Sequence, residues 1–393
     1  MDLERGIDLH SNSPHALERL RWSLPWLVRY PFWRLREWIA TLRQTTASVS
    51  HLIFVVANHF EPAWSYDGVY LPWSEQQTRV DGWAKLAQAI GRSIKDHDGT
   101  PFRHTYFYPA EQYHAPLLEN IAGIQREGLG EIEIHLHHGV DRPDTPLNLR
   151  KSLVDFRDRL AEEHKCLSRE LGSGSPKYAF VHGNLALANS AGGRFCGVDS
   201  EMQILAETGC YADLTLPSAP DQSQVPRINA IYQCRYPLNK KVPHRAGPNL
   251  KVGAKPELPV IFTGPLVFDW RRRVYGLPIP RLDGGALASN YPLDLKRLEH
   301  WTSARIGVAG RPDWIFIKLY CHGFFPSDQT VTIGEPMQRF MEQILNLAER
   351  ERHFKIHFAT AREAFNLMMA AVDGRNGEPG KYRDYRLKAI MSE

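Results

Sequence analysis

The chain is poor in cysteine, with five in 393 residues, at positions 166, 196, 210, 234 and 321. They are odd in number, scattered and without a CxxC pair. This excludes a disulfide framework and an all-cysteine zinc site, and it suits a reducing compartment. No run of about 18 apolar residues occurs, so no ordinary membrane-spanning helix is expected. The opening MDLERGIDLH has no basic stretch leading into an apolar one, and no secretory signal is read there. Phosphate cradles are missing as well: no GxGxxG follows a strand, and GxxxxGK[ST] does not occur. Without HExxH or GxSxG, neither a zinc-protease helix nor a serine nucleophile elbow has support. Charge is nearly balanced, 48 basic against 44 acidic residues, and the resulting +4 is too mild for a nucleic-acid footprint.

Apolar material is plentiful. At 43% hydrophobic, with 10 Trp, 15 Tyr and 17 Phe, the chain can bury a large core. From residue 50 onward, short apolar runs alternate with helical patterns. Strands are expected at 52–57 (LIFVVA), 105–108, 131–137 (EIEIHLH), 178–181, 212–216, 260–262, 314–319 (WIFIKL) and 355–359. Helices are expected at 74–95, 114–127, 146–164, 199–208, 335–352 and 360–372. This alternation predicts an α/β fold, a (β/α) barrel of seven or eight parallel strands with helices outside. The barrel domain spans 49–375, with an excursion at 217–259 where prolines and basic residues break the rhythm, and a tail follows at 376–393. Residues 1–48 form a basic and aromatic extension. Its segment 14–43 holds Trp22, Trp26, Trp33 and Trp38 among six arginines, and Pro25 and Pro31 are expected to divide it into short pieces. Two readings compete there, packing across the main domain and contact with an anionic membrane surface. The location expected is cytoplasmic, with peripheral attachment to the inner membrane face as the variant. Oligomeric state is not legible.

The polar residues at strand ends carry the functional signal. LIFVVA runs into Asn58-His59-Phe60-Glu61, EIEIHLH into His138, YAFV into His182-Gly183-Asn184, and WIFIKLY into Cys321-His322. In a (β/α) barrel these ends meet at one mouth, where a metal or acid/base centre is assembled. Alternation along 131–137 puts Glu131, Glu133, His135 and His137 on one face, a costly arrangement unless they pair or hold an ion. Arg272, within Arg271-Arg272-Arg273, is a candidate grip for an anionic or sugar substrate.

The order of these motifs resembles the polysaccharide deacetylase (NodB-type) superfamily and its glycoside hydrolase/deacetylase barrel relatives, over roughly residues 50–372. LIFVVANHFEP occupies the place of the first motif, GEIEIHLHHG resembles the metal-binding histidine strand, and KYAFVHGN stands where an Arg-Pro motif is usual. WIFIKLYCHGF is similar to the last, histidine-bearing motif. The family's paired acids are replaced by Asn58-His59-Phe60-Glu61, and His182 replaces the arginine. The resemblance implies a metal-dependent hydrolase removing an N- or O-acyl group from a sugar or related amide. The ion, zinc by ligand type, would be held by Glu61 and two of His135, His137 and His138. His59 would act as base, His322 as acid, and His182 would orient groups or substrate. Asn58, Asn184, Asp213, Arg272 and Trp64 are the candidate substrate contacts. The alternative is a catalytically silent barrel serving as a carbohydrate-binding or membrane-peripheral component of glycan synthesis. No nucleic acid partner is expected.

Overall fold

LIFVVA becomes an interior strand of the sheet, paired on both sides, because it is apolar on both faces. A computed structural model describes residues 16–42, 49–65, 68–171, 174–235 and 237–392. Two helices come first, α1 (Ala16–Leu27) and α2 (Tyr30–Leu42). The strands of the main sheet are β1 (Ser50–His59), β2 (His104–Pro109), β3 (Gly130–Leu136), β4 (Tyr178–His182) and β5 (Cys210–Asp213). They continue with β6 (Ile231–Gln233), β7 (Val260–Phe262), β8 (Trp314–Cys321) and β9 (Phe354–Phe358). Between them run α3 (Trp73–Ser93), α4 (Ala115–Arg126), α5 (Pro146–Glu162), α6 (Glu201–Thr208) and α7 (Leu295–Ser303). The helices α8 (Pro326–Ile333), α9 (Glu335–Glu351) and α10 (Ala361–Val372) complete the set.

The nine strands lie in the order β8-β1-β2-β3-β4-β5-β7-β6, with β9 also beside β1. Every ladder is parallel except β6 with β7. The architecture is therefore mixed α/β with a mostly parallel central sheet. The ladders run from β8 to β6, and none joins these two edges among the described residues. The expected excursion at 217–259 supplies β6, whose antiparallel ladder covers the free side of β7.

One side of β1 is shared. Ser50–Phe54 pair with β9, whereas Ala57–His59 pair with β2. The backbone then enters the fork: Ala359 N donates to Phe54 O (2.9 Å), and Ala361 N donates to Thr105 Oγ1 (2.8 Å). Starting there, α10 is buried on all sides, which its sequence AREAFNLMMAAV permits because small and apolar residues surround it. Period-2 alternation divides the core. Leu52, Phe54 and Val56 face the layer of Trp83, Ile121 and Ile344, while Ile53, Val55 and Ala57 face α10 and Trp314.

The N-terminal segment is divided into two short helices, at Pro31 and not at Pro25. Pro25 lies near the end of α1, and Pro31 sits in the first turn of α2, where no helical N–H bond is lost. Trp26 is fully buried, its ring 5.9 Å from that of Phe268, and Tyr30 Oη accepts from Phe268 N (3.2 Å).

Glu131 and Glu133 on the polar face of β3 are paired within the protein. Arg362 of α10 binds Glu131 with two guanidinium nitrogens (2.7 and 3.0 Å), and Thr360 Oγ1 donates to Glu131 Oε2 (2.6 Å). Glu133 accepts from Ala179 N (2.6 Å) and from Tyr211 Oη, and burial holds its carboxyl well above the usual range. Arg362→Ala leaves Glu131 buried without its cation, and we expect a loss of about 3–5 kcal/mol, read by denaturant unfolding.

His104, on β2, is wholly buried among Trp83, Phe102 and Tyr106, and burial pushes its protonation down to about 3. The unfolded chain binds this proton near pH 6.5, so the stabilisation is complete above that pH and falls as pH drops toward 3. The slope from this group is about 1.4 kcal/mol per pH unit. His104→Leu should flatten the acid limb of melting temperature against pH between 6 and 4. An unchanged limb would refute the assignment.

Candidate metal centre

Parallel pairing brings the C-terminal ends of β1, β2, β3, β4, β5 and β8 to one edge of the sheet. His59 is the last residue of β1, and Phe60 then turns into the core, stacked on Tyr108 with centroids 4.8 Å apart. Glu61 is thereby returned to the side of His59 and buried (8% exposed). Glu61 Oε1 lies 3.3 Å from His135 Nε2 and 3.2 Å from His137 Nε2. Its other oxygen is 3.5 Å from His322 Nε2. The His59 ring is 5.0 Å from that of His135 and 4.5 Å from that of His322. Glu61 is thus the shared member of two triads, one with His135 and His137 and one with His59 and His322.

The outer nitrogens of His135, on β3, and His137, just past its end, are held by acceptors. His135 Nδ1 donates to Val181 O (2.7 Å), and His137 Nδ1 donates to Glu111 Oε1 (2.6 Å). A proton fixed on Nδ1 leaves Nε2 with a lone pair in the neutral ring. Two such lone pairs then converge on one carboxylate oxygen, which is repulsive unless a proton or cation stands between them. Two imidazoles oriented from behind plus one carboxylate are the donor set of an open divalent-metal site. The residues present therefore fit a divalent ion.

The electrostatics are those of a crowded buried cluster. Burial raises the Glu61 carboxyl, but the imidazoles of His135, His137 and His322 around it outweigh this and hold the group well below the carboxylate range. His137 is moved the other way: burial disfavours its cation, yet Glu111 and Glu61 lift it to about 10. His59 is lowered well below the imidazole range by burial and by the neighbouring His322 and His135. His322 is lowered by burial, partly offset by Glu61, and keeps 40% of its side chain exposed.

Other candidates fall elsewhere. His138 and His182 are not with Glu61; they lie together around Glu201, because consecutive residues leave a strand on opposite sides and His137 already faces Glu61. Asn58 is buried, and its Oδ1 accepts from Gly323 N (3.3 Å), so it fixes the turn carrying His322. Asn184 takes a left-handed conformation (φ 53°) just after His182. Asp213 is wholly buried, accepts from Thr215 Oγ1 (2.8 Å), and is raised by burial to about 7. Trp64 packs edge-on against Tyr70, with centroids 5.4 Å apart, and Arg272 is exposed, while its neighbour Arg271 makes the ion pairs to Asp269 and Asp294.

Sequence reasoning missed Glu111 and Lys318. Glu111 lies two residues past β2, at a strand end that carries no histidine of its own to draw attention to it. Lys318 interrupts WIFIKLY on the same parity as His322. Its Nζ donates to Leu216 O (2.9 Å), and burial lowers it to about 7.

No family model matches the chain, and no curated protein matches it. Among solved structures, the chain is similar to a "putative polysaccharide deacetylase from Mycobacterium smegmatis", at 12% identity and a TM-score of 0.42. That likeness covers 83% of this chain and 93% of the other.

Proposed function

We propose that the chain is a metal-dependent hydrolase that removes an N- or O-acyl group from a sugar or related amide, built on a divergent (β/α) barrel of NodB type. The observation that carries this reading is the convergence of Glu61, His135 and His137, oriented from behind, with two further imidazoles at the same point. Glu61, His135 and His137 would hold the ion, zinc by donor type. When bound, such an ion supplies a water of lowered pKa and polarises an acyl carbonyl.

The protein's own groups divide the proton work. His59 is buried and held neutral, so its free nitrogen is available to accept a proton from the attacking water. His322 stands at the more exposed side of the cluster beside Glu61, which offsets in part the burial that lowers it, and it would deliver the proton to the leaving group. His137 stays oriented because Glu111 holds its Nδ1 and backbone N–H together.

Elemental analysis of the purified chain, paired with turnover of chromogenic acetyl esters and N-acetylated sugars, tests this. Glu61→Ala and His135→Ala should each lose one equivalent of metal and all measurable turnover. His59→Ala should retain the metal and lose about 10²–10⁴-fold in kcat. Metal content unaffected by Glu61→Ala would sink the reading.

A second reading rests on the N-terminal helices. Phe32, Leu35 and Trp38 of α2 are exposed at 75%, 53% and 60%, interleaved with exposed Arg29, Arg34 and Arg36. This pattern favours a peripheral contact with the anionic inner membrane face. The full chain should then co-sediment with phosphatidylserine-containing vesicles at low salt, and Phe32→Ser with Trp38→Ser should reduce binding at least tenfold. Equal pelleting with and without vesicles would remove this reading.

A further inference from the structure

His138 and His182, which do not reach Glu61, meet two residues that strand-end reasoning had no means to select. Cys196 lies in the loop after β4, and Glu201 opens α6. One donor atom from each of His138, His182, Cys196 and Glu201 lies within 4.8 Å of every other, and all four residues are buried. Glu201 Oε1 is 3.2 Å from His138 Nε2 and 3.4 Å from His182 Nε2, while Cys196 Sγ is 3.4 Å from Glu201 Oε2.

Each donor is braced from outside. His138 Nδ1 is 2.9 Å from Asp144 Oδ2, and Asp144 is itself fixed by Thr145 N (2.7 Å) and Asn148 Nδ2 (2.8 Å). His182 Nδ1 faces the carbonyl of Gly183, which only accepts, so the proton is on Nδ1 and a lone pair is on Nε2. That Nε2 is completely buried and has no hydrogen-bond partner. Glu201 Oε2 accepts from Ala188 N (2.5 Å), and Val198 N–H points at Cys196 Sγ (3.4 Å), while that sulfur lies against Glu201 Oε2, where a cation would take the place of the thiol proton. Imidazole braced by carboxylate or carbonyl on its far nitrogen is the usual outer arrangement of a metal ligand.

The loop is also pressed onto the strand end. Gly139 has φ +66°, and a Cβ there would lie 2.2 Å from Cys196 O, so only glycine admits this approach. Asn184, Leu185, Ala188, Asn189 and Phe195 all take positive φ, a concentration of unfavourable backbone that something in the loop must hold in place.

We propose that His138, His182, Cys196 and Glu201 bind a divalent cation of the zinc class as a closed, structural four-ligand centre, separate from the Glu61 centre. One thiolate and one carboxylate neutralise a divalent charge, the condition for burying an ion without a large desolvation cost. Four protein donors leave no position for water, in contrast to the three-ligand arrangement around Glu61. The centre ties the loop 183–200 to the end of β3 and fixes the backbone from which the adjacent His137 emerges. It does not rest on the hydrolase reading.

The test is the full-length chain produced with cobalt in place of zinc, followed by absorption spectroscopy and metal counting. The wild type should show a thiolate-to-cobalt charge-transfer band in the near ultraviolet. Cys196→Ser should lose the band and one equivalent of metal, whereas Glu61→Ala should keep the band. If Cys196→Ser does not fold, X-ray absorption of the zinc-loaded wild type decides, with a sulfur neighbour expected at about 2.3 Å. A wild type with no thiolate band, or a metal shell without sulfur, overturns this centre and leaves the Glu61 reading untouched. A sulfur-bound ion together with metal content insensitive to Glu61→Ala supports this centre and removes the other.

Discussion

Everything chemical in this molecule depends on the direction of its strands. A parallel ladder delivers each strand's end to the same edge, so side chains separated by scores of residues in sequence become neighbours there. Glu61 and His322 touch only because β1 and β8 run together in register, with Asn58 opposite Cys321. An antiparallel arrangement of the same strands would have sent these ends to opposite edges.

The second constraint is burial of charge. β3 carries a column of ionisable groups into the interior, and each has a different solution. Glu131 has a guanidinium, Glu133 is pushed up by burial beside Tyr211, and His135 meets Glu61. Unpaired, any of them would cost several kcal/mol. The order along the strand matters: the groups near the start of β3 are neutralised by the protein itself, and those near its end are left facing one carboxylate. The polar face therefore grades from structural to chemical over one short strand.

Much of this was legible beforehand. Apolar runs at 52–57 and 314–319, and the alternation at 131–137, located β1, β8 and β3 within a few residues, because burial on both faces or on one leaves an unmistakable period. Strand-end reasoning singled out Glu61, His59, His135, His137 and His322, and the structure places these five side chains at one point. What was not legible depended on the third dimension. His137 and His138 look equivalent in sequence, and only the side from which each leaves the strand separates them. Cys196 and Glu201 lie in a loop and at a helix start with no periodic mark, and Arg362 lies 231 residues from its partner Glu131. The antiparallel β6 was hidden in a stretch whose prolines and basic residues mask any strand pattern. Pro25 reads as a break because its position within a helical turn cannot be known from composition alone, whereas Pro31 does open a new helix.

The fork at β1 has a consequence for how the chain reaches this state. The first half of β1 pairs with residues about 300 positions later, and its opposite edge pairs with β8, which is also distant. During synthesis this strand can pair early only with β2, through Ala57–His59, and its remaining ladders must wait until almost the whole polypeptide has left the ribosome. The earliest-made strand of the sheet is thus among the last to gain all of its neighbours.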